Sequence, residues 1–340
     1  MNILQKFIFA VIGLIFLIIH SYLTKGRRST LTFFVFAFIA ALTKEVSSFI
    51  DPVTSAIVPP PFLLPEEHPI ILGALHVSLG WVFTFYLGWF FAEKILRKIS
   101  RAGIRIFPLV ILTGLTVASF AYPIEATGIN VGWWAWSFFE ERFARFLVGN
   151  IHFFAMNAWF FFSVHSLLPY YFIECSGFRD KPWKNLFILI PILRLIVMVY
   201  AGSVIPRIAY ENIFLVFLLL MLFIDRVKYR PVYSGIPGAE PGPVAAILPF
   251  LSTMVVVGVL TFVNLFVIGK PVIMVSLLPL LLLILLSVRK IPVIAVYAVL
   301  PFLFVFFGIK AVPAAFPLLI ILMAYFSDMF YRRRVLYEKD

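Results

Sequence analysis

Two glutamates, two histidines and a group of tryptophans carry most of the chemistry open to this chain. Glu45 and Glu125 lie near the ends of strongly apolar segments, His76 and His152 lie inside two others, and Trp133, Trp134 and Trp136 follow Asn130 closely. Ionisable groups in hydrocarbon are costly, so each is a functional hypothesis by default. Counted from the outer ends of their segments, the histidines lie roughly 10 to 14 Å deep and Glu45 roughly 8 Å deep at the helical rise. Glu125 falls at the mouth of the same region. A carboxyl group walled by apolar and aromatic side chains is kept protonated by desolvation. Such an acid can protonate an alkene, with indole faces stabilising the cation and water or a base finishing the reaction. Glu125 is the first choice for the acid and Glu45 the second. Trp133, Trp134, Trp136, His76, His152, Asn130, Asn157, Trp159 and Arg194 are the substrate-binding candidates. Other readings are open: Glu45 pairs with Lys44 or Arg194, the histidines and Asn157 bond across helices, and the tryptophans sit at headgroup level.

No metal or cofactor is expected. The five histidines form no H-x-x-x-H or H-E-x-x-H pattern, and the single cysteine, Cys175, excludes a disulfide or a thiolate cluster. Nucleophile elbows, phosphate-cradling loops and a D-D-x-x-D diphosphate motif are also missing from the sequence.

The elements that must position these groups are membrane spans. Of the 340 residues, 63% are hydrophobic and 13% charged, and mean hydropathy is +1.05, far outside the soluble range. The expected fold is all-α, a polytopic bundle of about eleven transmembrane helices. The first five spans are Leu4 to Leu23, Leu31 to Ile50, Pro69 to Ala92, Ile104 to Tyr122 and Phe143 to Leu168. Most of the 28 basic residues fall in alternate loops, including Lys25/Arg27/Arg28, Lys94 to Arg105, Arg179 to Lys184, Arg226 to Arg230 and Arg332 to Lys339. That alternation sets the N-terminus outside and the C-terminus in the cytoplasm of a cell membrane. It also accounts for the net charge of +12 without nucleic acid as a partner. Membrane lipids and a hydrophobic substrate are the expected partners; the oligomeric state is left open.

Residues 1–225 hold nearly all the polar groups within spans. A Pro- and Gly-rich segment, 226–243, reads as a cytoplasmic linker, and 244–340 as four apolar spans suited to packing and lipid contact. Within the first part, Gly73, His76, Gly80 and Phe83 share their spacing with Gly149, His152, Met156 and Trp159, a weak parallel repeat of spans three and five. Between the fourth and fifth spans, Gly128 and Gly132 flank Asn130. That pattern predicts a non-helical turn holding Glu125 and Asn130 at the mouth of a pocket.

The run Ile124 to Trp136 (IEATGINVGWWAW), followed by an aromatic helix with Gly149, Asn157 and Trp159, resembles carotenoid-biosynthesis membrane proteins that include the bacterioruberin-precursor hydratases. Matching positions are Glu125, Gly132, Trp133 or Trp134, Trp136, Gly149, Asn157 and Trp159, with looser similarity at Leu79 to Trp81 and Leu87 to Trp89. The Asp51 to Pro69 loop departs from the family's Gly-Pro-Phe-Gly-x-Tyr element. The resemblance covers at most residues 30 to 225. It implies an enzyme, lyase- or hydratase-like, acting on a carotenoid or other polyisoprenoid. Two rival classes stay open: a transporter or lipid-handling protein without chemistry, and a subunit or scaffold.

Overall fold

The computed structural model describes residues 3–50, 57–58, 70–99, 104–131, 135–136, 153–176, 181, 186, 189–193, 228–230, 242–263, 266 and 280. In chain order the elements are α1 (Ile3–Ile50), β1 (Ile57–Val58), α2 (Ile70–Ile99), α3 (Ile106–Asn130), β2 (Ala135–Trp136), α4 (Phe153–Glu174) and α5 (Pro243–Phe262). The protein is helical, as composition requires. The two short strands add one antiparallel pairing, Ile57 opposite Trp136 and Val58 opposite Ala135. Among the described residues, three stretches are long and apolar enough to cross a membrane: Val11–Val46, Ile106–Gly128 and Val244–Phe262. Most of the sixth (Asn185 to Gly202), seventh (Asn212 to Ile224) and ninth to eleventh (Pro271 to Val288, Ile291 to Gly308 and Ala311 to Phe326) expected spans lie outside the described residues.

Helix α1 is not one rod. Gly26 has φ 79° and ψ 166°, a region open essentially to glycine. Ser21 and Thr30 would stand about 13 Å apart along a straight helix, yet Thr30 Oγ1 donates to Ser21 Oγ at 2.9 Å. His20 and Phe33 likewise both reach the ring of Tyr86, at centroid distances of 5.7 and 5.4 Å. The chain therefore doubles back at Gly26. Its two arms, 3–25 and 27–50, correspond to the first and second spans read from the sequence, each about 35 Å long against a hydrocarbon core of about 30 Å. Gly26→Ala is expected to cost about 1–3 kcal/mol, read as a lower unfolding midpoint of the purified protein. Gly80→Ala, whose added Cβ meets nothing within 4 Å, should be neutral or stabilising. Equal loss in both variants would remove the turn from the account.

The contacts give the relative direction of each helix. Along the first arm of α1, Gly13 faces Phe83, His20 faces Tyr86 and Phe90, and Lys25 faces Glu93, so this arm runs parallel to α2. Along the second arm, Phe33 meets Trp89 and Glu45 meets Trp81, so that arm is antiparallel to α2. Trp81 on Trp159 and Trp89 on Tyr171 make α2 and α4 parallel. Glu125 with Trp159 and Thr113 with Tyr171 make α3 and α4 antiparallel. The two arms of α1, then α2, α3 and α4, thus alternate in direction. Helix α5 packs on the first arm of α1, where Ser252 Oγ donates to the Gly13 carbonyl at 2.9 Å.

Lipid tails are as apolar as leucine, so these helices associate through close packing rather than through the hydrophobic effect. A Cβ on Gly88 would lie 2.6 Å from Val117 Cγ2, and one on Gly114 would lie 2.7 Å from Val164 Cγ2. Small residues therefore set how closely α3 approaches its neighbours. The centre is aromatic: Phe33, Tyr86, Trp89 and Tyr170 are fully buried. Phe33 lies 5.1 Å from both Trp89 and Tyr170, and Trp89 lies 5.4 Å from Tyr170.

Helix α3 corrects the expected boundary at Tyr122. It runs through Pro123 to Asn130, so Glu125 and Asn130 are helical rather than in a turn, and Gly128 is a helical glycine. Proline removes one backbone bond. In an apolar environment, however, ending the helix there would leave several backbone groups without water. The helix closes instead at Asn130, whose Nδ2 donates to the Ala126 carbonyl at 2.8 Å, while Val131 N donates to Thr127 O.

The segment read as a linker is not free where it is described. Tyr229 N donates to Ile104 O at 3.0 Å and Arg230 N to Cys175 O at 2.7 Å; Lys228 bridges to Arg105. Residues 228–230 thus form a strap between the start of α3 and the end of α4. Tyr229 is buried and its hydroxyl accepts from Trp89 Nε1 at 3.3 Å. Burial pushes its phenol well above the usual range, so it stays a neutral, hydrogen-bonding anchor. Cys175 is fully buried beneath this strap. In wild type it is expected to react slowly with a permeant maleimide, and roughly tenfold faster in Tyr229→Ala, about 1.4 kcal/mol of strap closure lost. Equal labelling rates would show that the strap does not cover the thiol.

Candidate functional site

At the end of the bundle away from the strap, four helical segments bring together two carboxylates and two indoles. Glu45 comes from the second arm of α1, Trp81 from α2, Glu125 from α3 and Trp159 from α4. Trp81 Nε1 donates to Glu45 Oε1 at 2.8 Å, and Trp159 Nε1 donates to Glu125 Oε1 at 2.7 Å. The two indole rings meet with centroids 3.8 Å apart and planes 34° apart. The result is a continuous chain of contacts, Glu45–Trp81–Trp159–Glu125. Both carboxyl groups are buried, at 4% and 2% exposure, where an N–H donor offsets part of the desolvation cost and fixes orientation.

The two halves are equivalent in construction. Each places a glutamate near the end of one helix and its tryptophan on the next, 36 and 34 residues later. The same kind of pairing thus occurs twice, with Trp81 rather than Phe83 meeting Trp159; Gly149 and His152 of the expected repeat lie outside the described residues. The halves differ in charge. Lys44 Nζ lies 2.6 Å from Glu45 Oε1, forming an ion pair with it, and sits 5.3 Å from the Trp81 ring centroid and 5.8 Å from that of Phe162. Those are cation–π distances. The edge of Phe162 packs on Trp81 at 4.6 Å and 79°, closing the apolar wall.

Of the residues singled out from the sequence, Glu45, Glu125 and Trp159 meet in this cluster. Asn130 is turned back on its own helix. His76 and Asn157 lie on α2 and α4, and Trp136 lies in β2, but their side chains fall outside the described residues. Trp133, Trp134, His152 and Arg194 lie wholly outside them. Trp81 is the residue that sequence reasoning left out of the site. The Glu-to-Trp spacing, 36 residues from Glu45 and 34 from Glu125, is the signal that could have found it.

A second polar cluster occupies the strap end. Glu93 is buried and accepts from Arg97 Nη2 at 2.6 Å and Arg97 Nε at 3.1 Å. Lys25 Nζ lies 3.6 Å from its other oxygen and 3.9 Å from the Trp89 ring centroid. Nearby, His20 Nδ1 and the Tyr86 hydroxyl are 2.7 Å apart. Among the described residues no group of three or more His, Cys, Asp and Glu side chains is arranged to hold a metal ion.

Fold and site together define a helical protein with membrane-length apolar helices and a paired carboxylate–indole cluster at one end. No family model, no curated protein and no solved structure matches this chain, so its function is inferred from the chemistry of the cluster.

Proposed function

We propose that this chain is a multi-pass protein of the cell membrane, with about eleven spans, N-terminus outside and C-terminus in the cytoplasm, that performs acid-initiated chemistry on a polyisoprenoid alkene. The observation that carries this reading is the Glu45–Trp81–Trp159–Glu125 chain: two buried carboxyl groups, each oriented by an indole, at one end of a bundle of apolar helices. In the proposed step Glu125 gives its proton to an alkene carbon, leaving a carbocation at the other carbon. Aromatic faces stabilise that cation. Water adds to it, and the proton released from the added water returns to the Glu125 carboxylate, so the net change is addition of one water. Trp159 engages Oε1 of Glu125, and Oε2 carries the proton. Glu45, paired with Lys44, closes the other end of the same indole pair.

One observation favours a second reading. The Lys44–Glu45 ion pair and the mutually stacked indoles would also serve as a polar closure at one end of a transport or lipid-handling pathway. Expression of the wild-type chain in hosts that make polyisoprenoids, followed by pigment and lipid extraction, separates the two. The enzyme reading expects a new hydroxylated isoprenoid, heavier by one water. Unaltered isoprenoids in every such host would leave transport as the better account.

A further inference from the structure

The strap end presents a second recognition surface, separate from the carboxylate–indole cluster. All four carboxylates whose burial is described, Glu45, Glu93, Glu125 and Glu174, are buried. The charge exposed among the described residues is therefore entirely basic. Two of the segments that carry it reach one side chain, that of Trp89. From the α1 turn, Lys25 places Nζ 3.9 Å from the Trp89 ring centroid, and its neighbours Arg27 and Arg28 are exposed. From the strap, Tyr229 accepts from Trp89 Nε1, and its neighbours Lys228 and Arg230 are exposed.

This juxtaposition depends on tertiary structure, because the turn and the strap lie some two hundred residues apart in sequence. It is also anchored at the backbone. Gly26 fixes the turn through its positive φ, and the strap is held by bonds to Ile104 and Cys175. Four exposed cations, Arg27, Arg28, Lys228 and Arg230, thus lie close in sequence to the two residues that reach one indole, at one end of helices long and apolar enough to cross a membrane. Guanidinium groups in particular match the oxygens of a phosphate. From this juxtaposition of the α1 turn and the 228–230 strap around Trp89, we infer that this end of the protein is a docking surface for the phosphate headgroups of anionic phospholipids in the adjoining leaflet. Buried Glu93 is held by Lys25 and Arg97, so it opposes this binding less than an exposed carboxylate would.

The test uses the full-length protein in nanodiscs made from equal parts phosphatidylglycerol and phosphatidylcholine. Native mass spectrometry then reads the ratio of the two lipids retained per protein. Wild type is expected to retain phosphatidylglycerol preferentially. In R27Q/R28Q/R230Q that preference should fall by roughly fivefold for each arginine removed, the scale of one juxtamembrane cation. The charge-preserving R27K/R28K/R230K variant should keep most of it. Unfolding midpoints in pure phosphatidylcholine nanodiscs should be unchanged in both variants, since these side chains are exposed. Equal retention of both lipids by wild type, or full preference in the glutamine variant, would overturn the assignment. So would displacement of retained phosphatidylglycerol by millimolar inorganic phosphate, which would mark a free-phosphate site instead.

Discussion

Glu125→Gln is expected to lower product formation by 10²-fold or more, the usual scale for losing a general acid. The amide keeps the shape of the side chain and can still accept from Trp159 Nε1, now 2.7 Å from Oε1, but it has no acidic proton to give. Because no buried charge is stranded, the unfolding midpoint should move little. Trp133→Leu or Trp134→Leu should cost less, roughly tenfold or about 1–2 kcal/mol of cation stabilisation. Trp81→Phe tests the geometry in a different way. It preserves an aromatic face against Trp159 but removes the N–H that orients Glu45, so a loss smaller than that of Glu125→Gln is expected. The assay is the same host extraction, with each variant's level in the membrane measured alongside. Full activity in both Glu125→Gln and Glu45→Gln would leave the reaction standing and remove this mechanism.

Glu93→Ala is expected to destabilise the fold by about 3–5 kcal/mol, the scale for removing one partner of a buried ion pair. Its partner Lys25 has a side chain only 7% exposed, and after the substitution its ammonium would face the Trp89 ring in place of a carboxylate. The size of this effect comes from the charge left behind, not from the net worth of the pair. Lys25→Met/Glu93→Ala should therefore recover most of the loss, because both charges leave together. Arg97→Ala should cost under about 1 kcal/mol, since the arginine side chain is 45% exposed and solvent screens its share. Unfolding midpoints of the three variants in one detergent decide the matter. A double variant as unstable as Glu93→Ala alone would mean that Glu93 acts through packing rather than charge.

The sequence by itself determined the class of the elements and that Glu45 and Glu125 lie near the ends of apolar helices. Runs of about twenty apolar residues satisfy their own backbone groups in a membrane as helices, and basic residues in alternate loops predict the alternating direction that the two arms of α1, α2, α3 and α4 take. Glu45 and Glu125 were legible as members of one region because each sits a countable distance from the end of such a run. What the sequence did not show is how far a helix continues once water is unavailable. The glycines flanking Asn130 carry a turn signature calibrated on soluble chains, yet α3 runs through Pro123 to Asn130, since stopping would cost more backbone bonds than one proline removes. Tertiary structure alone decided which indole serves which carboxylate, and that Trp81 rather than Phe83 is the counterpart of Trp159. It also decided that residues 228–230 are a strap, with Tyr229 bonded to Trp89 across 140 positions. Such pairings join side chains on different helices, and they depend on the rotation and crossing of each helix against its neighbours. Those are set by close packing at positions such as Gly88 and Gly114, and a periodic pattern along one chain does not encode them.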